Sequence, residues 1–331
     1  MDSWKDIDDV ELIEQTRLLL RINLSEHNAA YKPPLFSSLE CHAPSQKQCE
    51  SPEFLHWANL ITRGDSEVGP DLPCRWGGTF PNFSYRKLWE WAQILEVAKI
   101  ADVLGPNKSA LGFAVGQEPI PAILAKYGVK VLASDAPTEK SKAWIPSGEH
   151  MNDLSDLLHP EIVPDEIASK NISILPIDMN YIPENLGTFD FIWSSCAMEH
   201  LGTPELGLEF LVNTLNLLNP GGVSCHTTEI ELEPREITAD YGHCAVYQLK
   251  DINSFASRVR DLGYEISLNT SIAMDTAEDR WISRLALVGS ENTTDLAHLK
   301  LGIGESISTS FAIVVRKPFN GNSVRQDEVK I

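Results

Sequence analysis

Leu111-Gly112-Phe113-Ala114-Val115-Gly116-Gln117-Glu118-Pro119 stands between an apolar run that begins at Ala110 and a helix signal over Ile120 to Tyr127. Gly128 closes that helix as a C-cap, Val129 to Ala133 forms a second apolar run, and Ser134-Asp135 ends it. Strand, small-residue turn, helix, strand is the repeating unit of a parallel sheet. Small residues at 112, 114 and 116 let a ligand approach the backbone with no side chain between. Smallness also serves the tight packing of a strand on a helix, so the turn alone does not select a function.

The alternation continues on both sides. A helix is predicted over 86–104, and the runs Ile172 to Ile177, Phe189 to Trp193 and Val223 to Thr227 are short enough for buried parallel strands. Glu205 to Leu218 reads as a helix closed by Asn219-Pro220-Gly221-Gly222. A helix over 250–262, a strand over 264–269 and a last strand over 309–316 complete an α/β, doubly wound pattern. Residues 1–85 form an N-terminal helical/loop extension, expected to cap a substrate. Its helix over 8–22 carries Val10, Ile13, Leu18, Leu19 and Ile22, a short helix covers 53–62, and Trp57, Trp76, Phe80, Phe83 and Tyr85 favour a folded cap. Residues 86–317 make the main domain and 318–331 a polar tail.

With 331 residues and 43% hydrophobic content the chain buries a full core. There is no run of 18 apolar residues, and Met1-Asp2-Ser3-Trp4-Lys5-Asp6 lacks the order of a signal peptide, so a cytoplasmic protein is expected. Six cysteines without C-x-x-C spacing read as reduced thiols. Acidic residues outnumber basic ones 47 to 27, a net charge of -20 that repels phosphate backbones and anionic lipid; neither nucleic acid nor membrane is an expected partner. Solubility is the plainer reading of that charge than attraction of cationic substrates.

Asp135 follows the second strand and places a carboxylate beside the turn, where it can accept ribose hydroxyls. Asp178 ends the next strand, where it or its neighbouring backbone can read an adenine edge. Either aspartate alone is an ordinary cap or turn residue; placed after successive strands, they point with the turn at one nucleoside.

These segments, with Phe189-Asp190-Phe191-Ile192-Trp193-Ser194-Ser195, Glu199-His200 and Asn219-Pro220-Gly221-Gly222, resemble the ordered motifs of class I S-adenosylmethionine (SAM)-dependent methyltransferases across residues 110–229. His226-Thr227-Thr228-Glu229, His298-Leu299-Lys300-Leu301 and Thr309-Ser310 resemble a bacterial methyltransferase-like group. The resemblance implies a Rossmann-like seven-stranded sheet with the last strand antiparallel and SAM across the carboxyl ends of the first strands. It implies cofactor contacts from Gly112, Ala114, Gly116, Asp135, Ala136, Asp178, Met179, Ser194 and Ser195. Two positions depart from the family: Leu111 stands where an acid is common, and Gln117-Glu118 where a third glycine is common. Glu118 is either a helix-start carboxylate favoured by the dipole or a partner of the cofactor ammonium.

Methyl transfer to a hydroxyl needs positioning and a base. Glu199 and His200 follow the fourth strand, His226 and Glu229 the fifth, so His200 is the first candidate base and His226 the second. Glu199-His200 can equally open a helix and serve capping and packing. The same four residues suit a divalent ion, and Cys196, Cys225, His226, His243 and Cys244 have zinc-type ligands without compact spacing; no metal is the expected state. Tyr241, His243, Tyr247, Trp76, Phe83, Arg86 and Trp89 can wall an acceptor pocket, or pack a core. The expected activity is methyl transfer from SAM to a small-molecule or glycan-type acceptor, on oxygen. The rivals are an NAD(P)-dependent oxidoreductase, which shares the turn and Asp135 but leaves Asp178 and Glu199-His200 without a task, and an inactive SAM-binding regulatory protein.

Overall fold

A computed structural model describes residues 31–64, 86–140, 150–233, 235–241, 244–283, 298–303 and 306–319. The helix expected over 8–22, Trp76, Phe80, Phe83, Tyr85, His243 and most of the tail lie outside the described residues. The main sheet is built from β1 (Ser109–Phe113), β2 (Lys130–Asp135), β3 (Ile172–Pro176), β4 (Phe189–Ser195), β5 (Leu218–Glu231), β6 (Ile282–Ser283), β7 (Lys300–Ile303) and β8 (Ser306–Arg316). Its order is β6-β7-β8-β5-β4-β1-β2-β3. Strands β3, β2, β1, β4 and β5 are parallel neighbours, and β8 runs antiparallel to both β5 and β7.

The parallel core and the antiparallel last long strand match expectation; the count of seven does not. Among the described residues the sheet has eight strands, the additional one being the two-residue β6 at the edge beside β7. The strand expected over 264–269 also changes place. Ser267–Leu268 pairs with Glu40–Cys41 in a separate two-stranded parallel sheet, and only Glu265 bridges to Arg316 of β8.

Helices cover the sheet because its strands are apolar on both faces. They are α1 (Pro52–Arg63), α2 (Arg86–Ile100), α3 (Ile120–Lys126), α4 (Asp165–Asn171), α5 (Pro204–Leu215) and α6 (Leu249–Asp261). Ser51 and Thr203 cap α1 and α5 by accepting the N–H of Phe54 and Leu206, with Pro in the first turn of each, as the sequence of a helix start requires. Helix α5 stops at Leu215, and Asn219-Pro220-Gly221-Gly222 is the bulged entry to β5 rather than a helix stop. Gly221 sits at φ 80° there, and a Cβ on it would meet the Phe319 ring at 2.2 Å.

Residues 31–64 pack onto α2 and β8. Trp57 Nε1 donates to Glu96 Oε2 at 2.6 Å, Trp89 Nε1 donates to Gln48 Oε1 at 2.9 Å, and His42 pairs with Ala312. Residues 88–98 of α2 are all buried, so this helix is a core element clamped from outside by indole hydrogen bonds. Its first turn reaches the carboxyl edge of β4 and β5, and the clamp therefore sets where Arg86, Lys87 and Glu90 stand.

Candidate functional site

Strand β1 lies between β2 and β4, so the chain reverses its direction of travel across the sheet at this point, and a crevice opens at the carboxyl ends of the strands. The turn after β1 lines it. Ala114 and Gly116 both take left-handed backbone, at φ 49° and 51°. For alanine that conformation costs about 1–2 kcal/mol, so the surroundings must hold it. They do: Val115 N–H donates to Ser134 O at 3.0 Å, Ser134 Oγ to Gly112 O at 2.8 Å, and Gly116 N–H to Asp135 Oδ2 at 3.1 Å.

Gly112 is small for an internal neighbour. A Cβ there would lie 2.3 Å from Trp193 Cζ2 and 2.5 Å from Val115 Cγ1. The indole of Trp193, opposite Gly112 on β4, fills that space. Gly112 is therefore small for an internal side chain, and Ala114 and Gly116 are the small positions left to a ligand.

Asp135 is buried and accepts three backbone N–H bonds: Gly116 and Met151 on Oδ2, Ala136 on Oδ1 at 2.7 Å, with His150 Nδ1 a further 3.3 Å from Oδ1. A carboxylate has about four acceptor sites. Three are spent on the main chain, so Asp135 shapes the turn. Asp178 pairs with Lys140 and accepts Asn180 N–H at 3.0 Å, while Met179 beside it is buried. Ser194 is buried, and its hydroxyl lies 2.8 Å from His226 Nδ1; Ser195 donates to Glu90 Oε2 at 3.3 Å. The two serines thus face other side chains.

A buried polar cluster lies beyond the turn, where β4, β5 and β8 meet the start of α2. Arg86 bridges Glu90 (3.1 Å) and Glu229 (2.8 Å), and Lys87 pairs with Glu90 at 2.9 Å. Ser310 Oγ donates to Glu90 and Ser308 Oγ to Glu229 at 3.1 Å. Burial opposes ionisation of Glu90, but Lys87 and Arg86 outweigh it and hold the carboxyl down to about 2. Glu199 closes the cluster, accepting Thr228 Oγ1–H at 3.1 Å. Burial pushes the Glu199 carboxyl up; His200 opposes the rise and Glu229 adds to it. Cys196 sits at left-handed φ 47°, its N–H held by Thr227 O and Oγ1.

The geometry separates the expected catalytic residues. Glu199 and the half-buried His200 share one short helical turn, Met198–His200, at the carboxyl edge. His226 does not join them. It is 1% exposed, bonded to Ser194 and set edge-on to Phe210 at 5.5 Å, and burial lowers its pKa to about 3. It is a buried imidazole that stands apart from Glu199 and His200. The His and Glu set proposed for a metal is likewise not assembled; Cys196, Glu199 and Glu229 approach within 4.8 Å instead, and the Arg86 guanidinium already supplies the cation.

The sequence reading gave no role to Lys87, Glu90 and Ser308, and named Thr228 and Ser310 only within family-like motifs. The legible signals were the i,i+4 spacing of Arg86 and Glu90, and serines at alternate positions of an otherwise apolar β8.

No family model and no curated protein matches the sequence. Among solved structures, the chain is similar to a SAM-dependent methyltransferase of Aquifex aeolicus, at 17% identity and TM-score 0.35 over 67% of this chain and 88% of that one. It is similar to an S-adenosylmethionine-dependent methyltransferase of Clostridium acetobutylicum, at 12% identity and TM-score 0.39 over 80% and 98%. A third is the Haemonchus contortus phosphoethanolamine N-methyltransferase 2 with S-adenosylhomocysteine bound, at 13% identity and TM-score 0.38 over 69% and 53%.

Proposed function

We propose that the chain is a SAM-dependent methyltransferase acting on a hydroxyl of a small-molecule or glycan-type acceptor. The observation that carries this reading is the strand order. A dinucleotide-binding sheet continues 3-2-1-4-5-6 in parallel, whereas here the strand beyond β5 is the antiparallel β8. Fold alone does not assign chemistry, so the choice between the two cofactors rests on the residues beside the turn.

A nicotinamide dinucleotide needs its pyrophosphate on the N-terminus of the helix that follows the turn. Helix α3 begins at Ile120 with Pro119 as its N-cap, and Glu118, one residue before the cap, is buried. A second anion there would raise the cost of ionising this buried acid further, whereas a cation would stabilise its carboxylate form, so the position suits a cation better than a pyrophosphate. An adenosine carrying a cationic amino-acid end therefore fits the residues present. Ala114 and Gly116 would leave it room, Asp135 would take a ribose hydroxyl, and the backbone at Asp178 and Met179 would meet the base. Ala136, Ser194 and Ser195 would border it through main chain.

SAM supplies an electrophilic methyl group on sulfur. What the chain supplies is position and a proton acceptor. His200 takes the acceptor's hydroxyl proton, with Glu199 beside it to stabilise the imidazolium. The Arg86, Glu90 and Glu229 cluster is rigid, because each charge has a partner, and it forms the floor on which an acceptor sits.

Calorimetric titration with S-adenosylhomocysteine, NAD and NADP tests this reading. Micromolar binding of the first alone is expected, weakened at least tenfold in Asp135→Ala; nicotinamide binding without S-adenosylhomocysteine binding overturns it. Binding without turnover on any acceptor would favour the regulatory reading.

A further inference from the structure

Glu118 is a buried acid that takes no part in the methyl-transfer step itself. It is 5% exposed, and its Oε1 accepts Trp193 Nε1–H at 2.6 Å. Trp91 of α2 is a second indole hydrogen-bond partner. The charged groups that face it are Lys87 from α2 and Asp135 from the end of β2, and among the described residues neither forms an ion pair with it. Its ionised form is costly in such a site without a cation beside it, so a cationic ligand would be what stabilises the carboxylate.

The surroundings are built around this carboxyl. Trp193 occupies the space that Gly112 leaves open, and from there points its N–H at Glu118. Leu111 leaves the end of β1 without an acid. Glu118 follows the turn and brings an acid beside Trp193, the residue opposite Gly112.

We infer that Glu118, held by Trp193 above Gly112, binds the α-ammonium of the cofactor's amino-acid end. This rests on the methyltransferase reading and names how the part of SAM beyond the ribose is recognised. In the free protein burial pushes the Glu118 carboxyl up to about 8, with the Trp193 bond and Lys87 opposing the rise and Asp135 adding to it. At pH 7 the free protein therefore holds a proton there; the arriving ammonium favours the carboxylate, and the proton leaves to solvent.

The test is calorimetry at pH 7 in buffers of different ionisation enthalpy, with the full chain and two probes: S-adenosylhomocysteine, and 5′-methylthioadenosine, which lacks the amino-acid end. Glu118→Gln keeps an acceptor for Trp193 and removes the charge. Expected is release of close to one proton per S-adenosylhomocysteine in the parent, none in Glu118→Gln, an affinity loss of at least tenfold for S-adenosylhomocysteine, and unchanged affinity for 5′-methylthioadenosine. Equal S-adenosylhomocysteine affinity in both proteins, or equal losses for both probes, overturns the assignment while the cofactor reading stands. Failure of the parent to bind either probe removes the reading beneath it. Thermal unfolding of Glu118→Gln at or above the parent midpoint shows that any loss of affinity is not a loss of fold.

Discussion

Trp193 lies across Gly112, its Cζ2 2.3 Å from where a Cβ on that glycine would be. The indole also stacks at 6.1 Å on Phe191 and donates to Glu118, so it joins the packing of β1 to the wall of the crevice. An interior glycine and a charged residue six positions later are thereby coupled through one ring.

That coupling is measurable. Gly112→Ala overpacks the site and should cost about 1–3 kcal/mol, since neither the ring nor Val115 has free space to move into. Trp193→Phe opens room for the methyl group, and the double variant should recover part of the loss. Denaturant unfolding of the four proteins gives the interaction energy; strict additivity would show that the clash is relieved elsewhere.

His200 and His226 should separate cleanly. His200→Ala is expected to keep the fold and S-adenosylhomocysteine affinity while turnover falls about 10²–10⁴-fold. His226→Ala removes a core ring and should cost stability on the scale of large-to-small core substitutions, about 2–5 kcal/mol. The pH dependence has a sign. The folded pKa of His226 lies below its ordinary 6.5, at about 3, so its contribution to stability is full above pH 6.5 and is lost as pH falls toward 3. A His226→Leu variant should lose that part of the acid-side slope in unfolding curves measured from pH 7 to pH 4. An unchanged slope would place the imidazole in contact with water.

Arg86 should matter for folding before it matters for chemistry. Its removal leaves Glu229, with a side chain 6% exposed, and Glu90, with a side chain 0% exposed, short of a cation. Arg86→Met should therefore destabilise the chain by about 3–5 kcal/mol, the usual consequence of breaking one half of a buried pair. Arg86→Lys, which cannot bridge two carboxylates with a planar fork, should recover only part. Thermal melts of the two variants check the order.

Most of the sheet was legible in the chain. Strands β1 to β5, helices α1, α2, α3, α5 and α6 and the antiparallel β8 follow from short apolar runs, caps and glycine stops, all of which are local signals, whereas α4 was not read from the sequence. Errors fell where locality fails. Asn219-Pro220-Gly221-Gly222 carries every mark of a helix stop, yet pairing of β5 with β4 draws it into a strand, and Ser267–Leu268 finds its partner at Glu40–Cys41.

The sequence by itself determined the alternation, the small-residue turn and the carboxylate after β2, because each depends on residues a few positions apart. Tertiary structure alone decided what those residues do. Gly112 makes room for Trp193 because β1 and β4 are neighbours, Glu118 is buried with two indoles bonded to it, and His226 is buried where α5 brings Phe210 against it. Glu90 finds Ser310, 220 positions away, only when β8 folds back beside β5. Roles of this kind are set by burial and by partners distant in sequence, and no local pattern encodes either.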